Sequence, residues 1–151
     1  MIRTKEDYIK SLKDLDHLVY YCAERVDDVT EHPAFIPHIN SAARTYELAL
    51  QEEHEDLLTA TSHLTGETIN RFTHIHQSIE DLIKKVQMLR LIGHETGSCF
   101  QRCVGWDALN ATYMTTHEID EQRGTSYHAR FLEYLKKSED VDSSQVRSLA
   151  G

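Results

Sequence analysis

Proline and cysteine are scarce in this 151-residue chain, with two and three copies, and glycine occurs only six times. So little proline, beside 40% hydrophobic and 27% charged residues, excludes wholesale disorder and low-complexity sequence. Three cysteines, Cys22, Cys99 and Cys103, are an odd and sparse set. Residues 1–15 carry charges every few positions and no apolar leader, so the expected address is cytoplasmic, and the cysteines are expected to be thiols or metal ligands rather than a disulfide scaffold. The glycines make no phosphate-binding fingerprint: Gly93 and Gly97 do not form G-x-G-x-x-G, and Gly66 has no Lys-Ser/Thr after it. No nucleophile elbow is present either. Basic residues are few, 16 Lys+Arg against 25 Asp+Glu for a net charge of −9, which argues against a nucleic-acid partner. Long hydrophobic runs are missing as well. The stretches 18–23 and 86–93 fall far short of the roughly 20 residues that cross a bilayer, so no membrane partner is expected.

What is present reads as a mostly helical single domain, long enough to bury about 70% of its unfolded surface. Thr4, with Asp7 three positions on, predicts a capped helix to about Leu15. The β-branched and aromatic segment 17–29 predicts a short hairpin or two extended pieces. Pro33 and Pro37 suit a turn and a helix first turn, with helix over 39–50 and a short acidic helix over 52–59. Residues 62–77 read as loop or extended chain. Ser78 and Asp81 predict a capped helix over 79–92, with Leu82, Ile83, Val86 and Leu89 (and Met88 or Ile92) as its inward stripe and Gly93 as its left-handed stop. A further helix is expected from near Gly97 or Ser98 to about Gln122, closed by Gly124. Thr125 or Ser126 then caps a last helix to Lys137, with Phe131, Leu132 and Leu135 inward. The helical domain is thus 1–137, and 138–151, polar and without periodicity, is expected to be a frayed tail.

Three constellations bear on chemistry. Cys99-Phe100-Gln101-Arg102-Cys103 spaces two thiols four apart, about 40° around a helix axis, where they can ligate one metal or one iron–sulfur cluster, or else serve as small core side chains. Thr73-His74-Ile75-His76 puts two His on one face of a strand, a geometry that binds metals in some β proteins but more often is structural. His117-Glu118-Ile119-Asp120-Glu121 lacks the second His of H-E-x-x-H and reads, like Glu52-Glu53-His54-Glu55-Asp56, as a solvated face.

Longer runs carry a resemblance. They are His32-Pro33-Ala34-Phe35, Thr61-Ser62-His63-Leu64-Thr65-Gly66-Glu67, Asn70-Arg71-Phe72-Thr73-His74-Ile75-His76-Gln77-Ser78 and Cys99-Phe100-Gln101-Arg102-Cys103-Val104-Gly105. Over about residues 4–137 the chain resembles the N-terminal domain of the 4-hydroxybutyryl-CoA dehydratase branch of the 4-hydroxyphenylacetate 3-hydroxylase flavoprotein superfamily. The resemblance implies an all-α N-terminal domain of an acyl-CoA-dehydrogenase-like fold, from a homotetramer that holds FAD and a [4Fe-4S] cluster and acts on an acyl-CoA. It implies Cys99 and Cys103 as two cluster ligands, and Gln101 and Arg102 as substrate-side neighbours, with Arg102 pairing an acidic residue as the plainer alternative. It assigns no catalytic residue to this chain. The hydroxylase branch has a Ser-Pro segment where this chain has Cys103-Val104-Gly105, so the cysteines favour the dehydratase branch. The family enzyme is several-fold longer, so the β domain, the C-terminal domain, the remaining ligands and most flavin contacts are expected elsewhere. The chain alone is then inactive, or completed by a separately encoded partner. The alternatives are a non-catalytic helical interaction module and a fragment of a flavin-dependent hydroxylase.

Overall fold

The computed structural model describes residues 2–15, 17–97, 100 and 102–142. Both capping boxes read from the sequence form. Helix α1, Lys5–Lys13, starts on Thr4, whose hydroxyl accepts the Asp7 amide while the Asp7 carboxylate accepts the Thr4 amide. Strands β1, Val19–Tyr21, and β2, Glu24–Val26, pair antiparallel with Tyr21 opposite Glu24. Their two-residue turn holds Cys22 and Ala23 at φ of 50° and 68°, the twist a tight hairpin demands even without glycine.

Helix α2, Ile36–Ala49, carries Pro37 in its first turn, where a missing amide costs nothing, and buries Ile39, Ala43, Tyr46 and Leu48. The acidic stretch after it is a 3₁₀ turn, Glu52–His54, running into the short α3, Glu55–Leu58. Strand β3, Thr59–Thr61, pairs with β4, Thr68–Asn70, in the register Thr59 to Asn70. The Ser62 hydroxyl accepts the Leu64 and Thr65 amides, and Gly66 supplies φ of 72° to close the turn between them. A 3₁₀ turn, Arg71–Thr73, follows.

Helix α4, Ile79–Thr96, departs from expectation at its end and on its face. Its stop is Gly97, at φ 59°, whose amide reaches the Gly93 carbonyl; Gly93 stays helical. The stripe is rotated too. Met88 and Ile92 are fully buried, whereas Leu82, Ile83 and Val86 stand 48%, 46% and 51% exposed. The apolar period is present, but the core meets only the C-terminal half of the helix.

Helix α5, Arg102–Arg123, begins later than expected, since Phe100 lies outside any helix. Gly124, at φ 64°, turns the chain into α6, Tyr127–Asp142. The amides of Tyr127 and His128 are capped by Asp120 of α5, which also accepts the Thr125 hydroxyl. A side chain reaching back across the turn therefore does the work expected of Thr125 or Ser126. Helix α6 continues past Lys137 to Asp142, with Glu139 and Asp142 buried, so residues 138–142 are packed helix; 143–151 lie outside the described residues.

The main core gathers Leu48, Leu58, Phe72, Met88, Ile92, Phe100 and Trp106. A smaller cluster joins Ile75 to Phe131 and Leu135 under the α5–α6 hairpin. Among the described residues no helix is long and apolar enough to cross a membrane.

Candidate functional site

The start of α5 is where the candidate residues meet the rest of the fold. Cys103, its second residue, is half-buried and packs against the main core. Cys99 and Gln101 lie outside the described residues. Gly97 breaks the path of α4 and Phe100 is irregular, so the described geometry does not supply the single helix on which the four-residue spacing argument rests.

Arg102 is fully engaged within the chain. One guanidinium nitrogen donates to the Thr45 hydroxyl at 2.9 Å and another pairs with the Asp142 carboxylate. The group lies 4.3 Å from the ring centre of Tyr46 and 4.4 Å from that of Phe72. The Tyr46 hydroxyl donates to the other Asp142 oxygen at 2.9 Å, and burial pushes that phenol up to about 12. Of the two readings of Arg102, the carboxylate pairing is the one the side chains display.

One turn further, Trp106 is fully buried and its indole donates to the His74 carbonyl at 2.6 Å. Asn110 completes the join: its amide nitrogen also donates to that carbonyl, at 3.3 Å, and its oxygen accepts the His76 amide at 2.8 Å. Beside this lies an open groove of about 820 Å³ between α5 and α6, lined by Phe72, Leu109, Phe131, Tyr134 and Val141, with Arg102 and Asp142 at one end.

The second candidate, His74 with His76, does not sit on a strand. The preceding 3₁₀ turn leads into irregular chain, and the two rings are 6.5 Å apart and tilted 75°. His74 Nε2 faces Asp81 at 3.2 Å, beside Arg71, which meets the same Asp81 oxygen at 3.2 Å. Burial pulls the His74 ring below the ordinary imidazole range against the pull of Asp81. Burial works to raise the Asp81 carboxyl, but the Gln77 amide, His74 and Ser78 hold it at about 2. Arg71 also donates to the Leu57 and Thr59 carbonyls, so this is a framework network tying α3 and β3 to α4. Third, His117 meets Glu121 at 3.7 Å on an exposed face, as a solvated helix surface should. Among the described residues no three His, Cys, Asp or Glu side chains are grouped to hold a metal ion. Asp142, Thr45 and Tyr46 were not legible as neighbours of Arg102; nothing local in the sequence marks a contact that spans α2, α5 and α6.

The fold is that of a mostly helical N-terminal domain, and its family is shown by comparison with known proteins. Residues 4–148 match the family described as 4-hydroxyphenylacetate 3-hydroxylase N terminal, and the chain belongs to that family. Within it, the chain is 51% identical over 142 residues to the 4-hydroxybutyryl-CoA dehydratase/vinylacetyl-CoA-Delta-isomerase of Clostridium aminobutyricum, covering 94% of this chain and 29% of that protein. It superposes at a TM-score of 0.88 on the oxygen-tolerant 4-hydroxybutyryl-CoA dehydratase from N. maritimus, 49% identical, covering 93% of this chain and 28% of the other. The oxygenase component of 4-hydroxyphenylacetate 3-monooxygenase, solved in complex with FAD, matches at a TM-score of 0.54 and 28% identity over 62% of this chain and 19% of its own. The chain thus spans less than a third of the length of the dehydratases it matches.

Proposed function

We propose that this chain is the N-terminal domain of a 4-hydroxybutyryl-CoA dehydratase with vinylacetyl-CoA isomerase activity. In this reading it lends Cys99 and Cys103 to a [4Fe-4S] cluster and is inactive without the rest of the enzyme. The observation that carries the reading is likeness across nearly the whole chain, 51% identity and a TM-score of 0.88, against 28% and 0.54 for the FAD-bound oxygenase.

The residues present suit a partial ligand set. Cys103 is half-buried against the main core at a helix start, and Cys99 lies outside the described residues. In this reading the remaining ligands come from the rest of the enzyme. We assign no flavin contact to the described residues. When bound, the flavin supplies one-electron oxidation that acidifies an unactivated β-hydrogen, and the cluster supplies a Lewis acid for the departing hydroxyl. The net conversion is 4-hydroxybutyryl-CoA to crotonyl-CoA and water. In this reading the chain's own contribution is the pair of thiols, with Cys103 half-buried against the main core at the start of α5. The reading also carries FAD as a cofactor of the intact enzyme, an acyl-CoA substrate, a homo-oligomer or a separately encoded C-terminal partner, and a cytoplasmic setting that keeps thiols reduced.

The test is iron and sulfide reconstitution without oxygen, on the chain alone and with the remaining segment of a dehydratase. Visible absorbance of thiolate-bound iron–sulfur that is lost in Cys99→Ala and in Cys103→Ala supports the reading. Iron uptake unchanged by both substitutions overturns it.

A further inference from the structure

We propose that Arg102 is a positioning residue: through Asp142, Tyr46, Phe72 and Thr45 it clamps the first turn of α5 and so fixes where the Cys103 sulfur points. The inference deepens the reading of Cys103 as a ligand and rests on it for its purpose, though not for its geometry.

Gly97 ends α4 in a left-handed turn, so α4 does not set the direction of α5. The first amides of any helix lack intrahelical acceptors, and an unsupported first turn frays. Two anchors hold this one. Trp106, buried and bonded to the His74 carbonyl, fixes the second turn in the core. Arg102 fixes the first, and every group it uses belongs to another element: Thr45 and Tyr46 on α2, Phe72 in the 3₁₀ turn, Asp142 on α6. A planar guanidinium sandwiched between two rings while meeting a carboxylate sets rotation as well as distance, which a lysine ammonium does not do. Asp142 is buried and held in its turn by the Tyr46 hydroxyl, and its carbonyl accepts the Arg3 amide at 3.0 Å. The clasp therefore has a firm base. Cys103 is the next residue after Arg102, so its thiol moves with the clasp.

The experiment uses the full chain carrying Cys22→Ser and Cys99→Ser, leaving Cys103 as the sole thiol. Alkylation of Cys103 is timed in this background, with Arg102→Gln, with Arg102→Lys and with Asp142→Asn, and the helical circular dichroism signal is recorded for each. The expected result is alkylation several-fold faster in Arg102→Gln at unchanged helix content, with Arg102→Lys falling between. If Arg102→Gln unfolds, Asp142→Asn, which keeps the shape of the base, is expected to give the same acceleration. Equal rates in folded Arg102→Gln, or in folded Asp142→Asn where the first unfolds, overturn the inference. The two claims fail separately. Iron uptake indifferent to Cys103→Ala removes the ligand reading and leaves the clasp standing. Uptake that needs Cys103, but unaltered alkylation in the clasp variants, removes the clasp alone. With both thiols restored, Arg102→Gln is expected to lower iron uptake and Arg102→Lys to recover part of it.

Discussion

Replacing Trp106 with Phe removes one hydrogen bond and part of a ring from a fully buried site. The indole donates to the His74 carbonyl at 2.6 Å, and a net bond of this kind contributes about 0.5–1.5 kcal/mol. The smaller ring loses contact with Phe72, 5.7 Å away between centroids, and His76, 4.9 Å away, for roughly another 1 kcal/mol. The carbonyl is not orphaned, because Asn110 also donates to it at 3.3 Å. The expected cost is therefore about 2 kcal/mol, below the roughly 3–5 kcal/mol of Trp→Ala. Asn110→Ala alone costs a similar amount, since it also frees the His76 amide. Together the two substitutions leave a buried acceptor with neither donor, so the double variant should exceed the sum of the singles by about 1 kcal/mol. Urea unfolding followed by far-UV circular dichroism reads all four proteins, because the chain's single tryptophan is the residue being changed. A coupling of zero, with all variants folded, refutes the claim that Trp106 and Asn110 share the His74 carbonyl.

Two further predictions concern pH and glycine. Burial pulls both the His74 and His76 imidazoles below the ordinary 6.5, so the unfolded chain takes up protons first as pH falls. Stability is full above about 6.5 and declines below it, and the urea midpoint should drop between pH 7.5 and 5. Combining His74→Gln with His76→Gln should flatten that slope; an unchanged slope would assign it to other groups. Gly93 is helical with open space around it, so Gly93→Ala should add up to about 1 kcal/mol of stability, read as a higher thermal midpoint. Gly97→Ala, at φ 59°, should lower stability by about 1–2 kcal/mol, and equal effects of the two would contradict the observed helix end.

These glycines also show what a sequence can disclose. Capping boxes are local, so Thr4–Asp7 and Ser78–Asp81 were readable before any coordinates. Which of two glycines ends a helix depends on where the core stops holding it. Ile92 is fully buried just before Gly93, and packing carries the helix one turn further. Periodicity gave the apolar face of α4 without saying what it faces, and Leu82, Ile83 and Val86 turned out exposed. The α6 cap came from Asp120, several residues upstream, and the partner of Arg102 from Asp142, which local composition had assigned to a tail. Family likeness is what favoured the ligand reading of the cysteine pair; spacing alone favoured small core side chains. Contacts within one turn of chain are written locally, and contacts between elements are not.

The hydrogen bond from the Arg3 amide to the Asp142 carbonyl brings the two ends of the described residues to one corner. Among the described residues the backbone is therefore nearly a closed circuit. A circular permutant that joins this corner with a short linker and opens at the exposed tip of the Cys22–Ala23 hairpin would keep both hydrophobic clusters intact, because neither draws a residue from that tip.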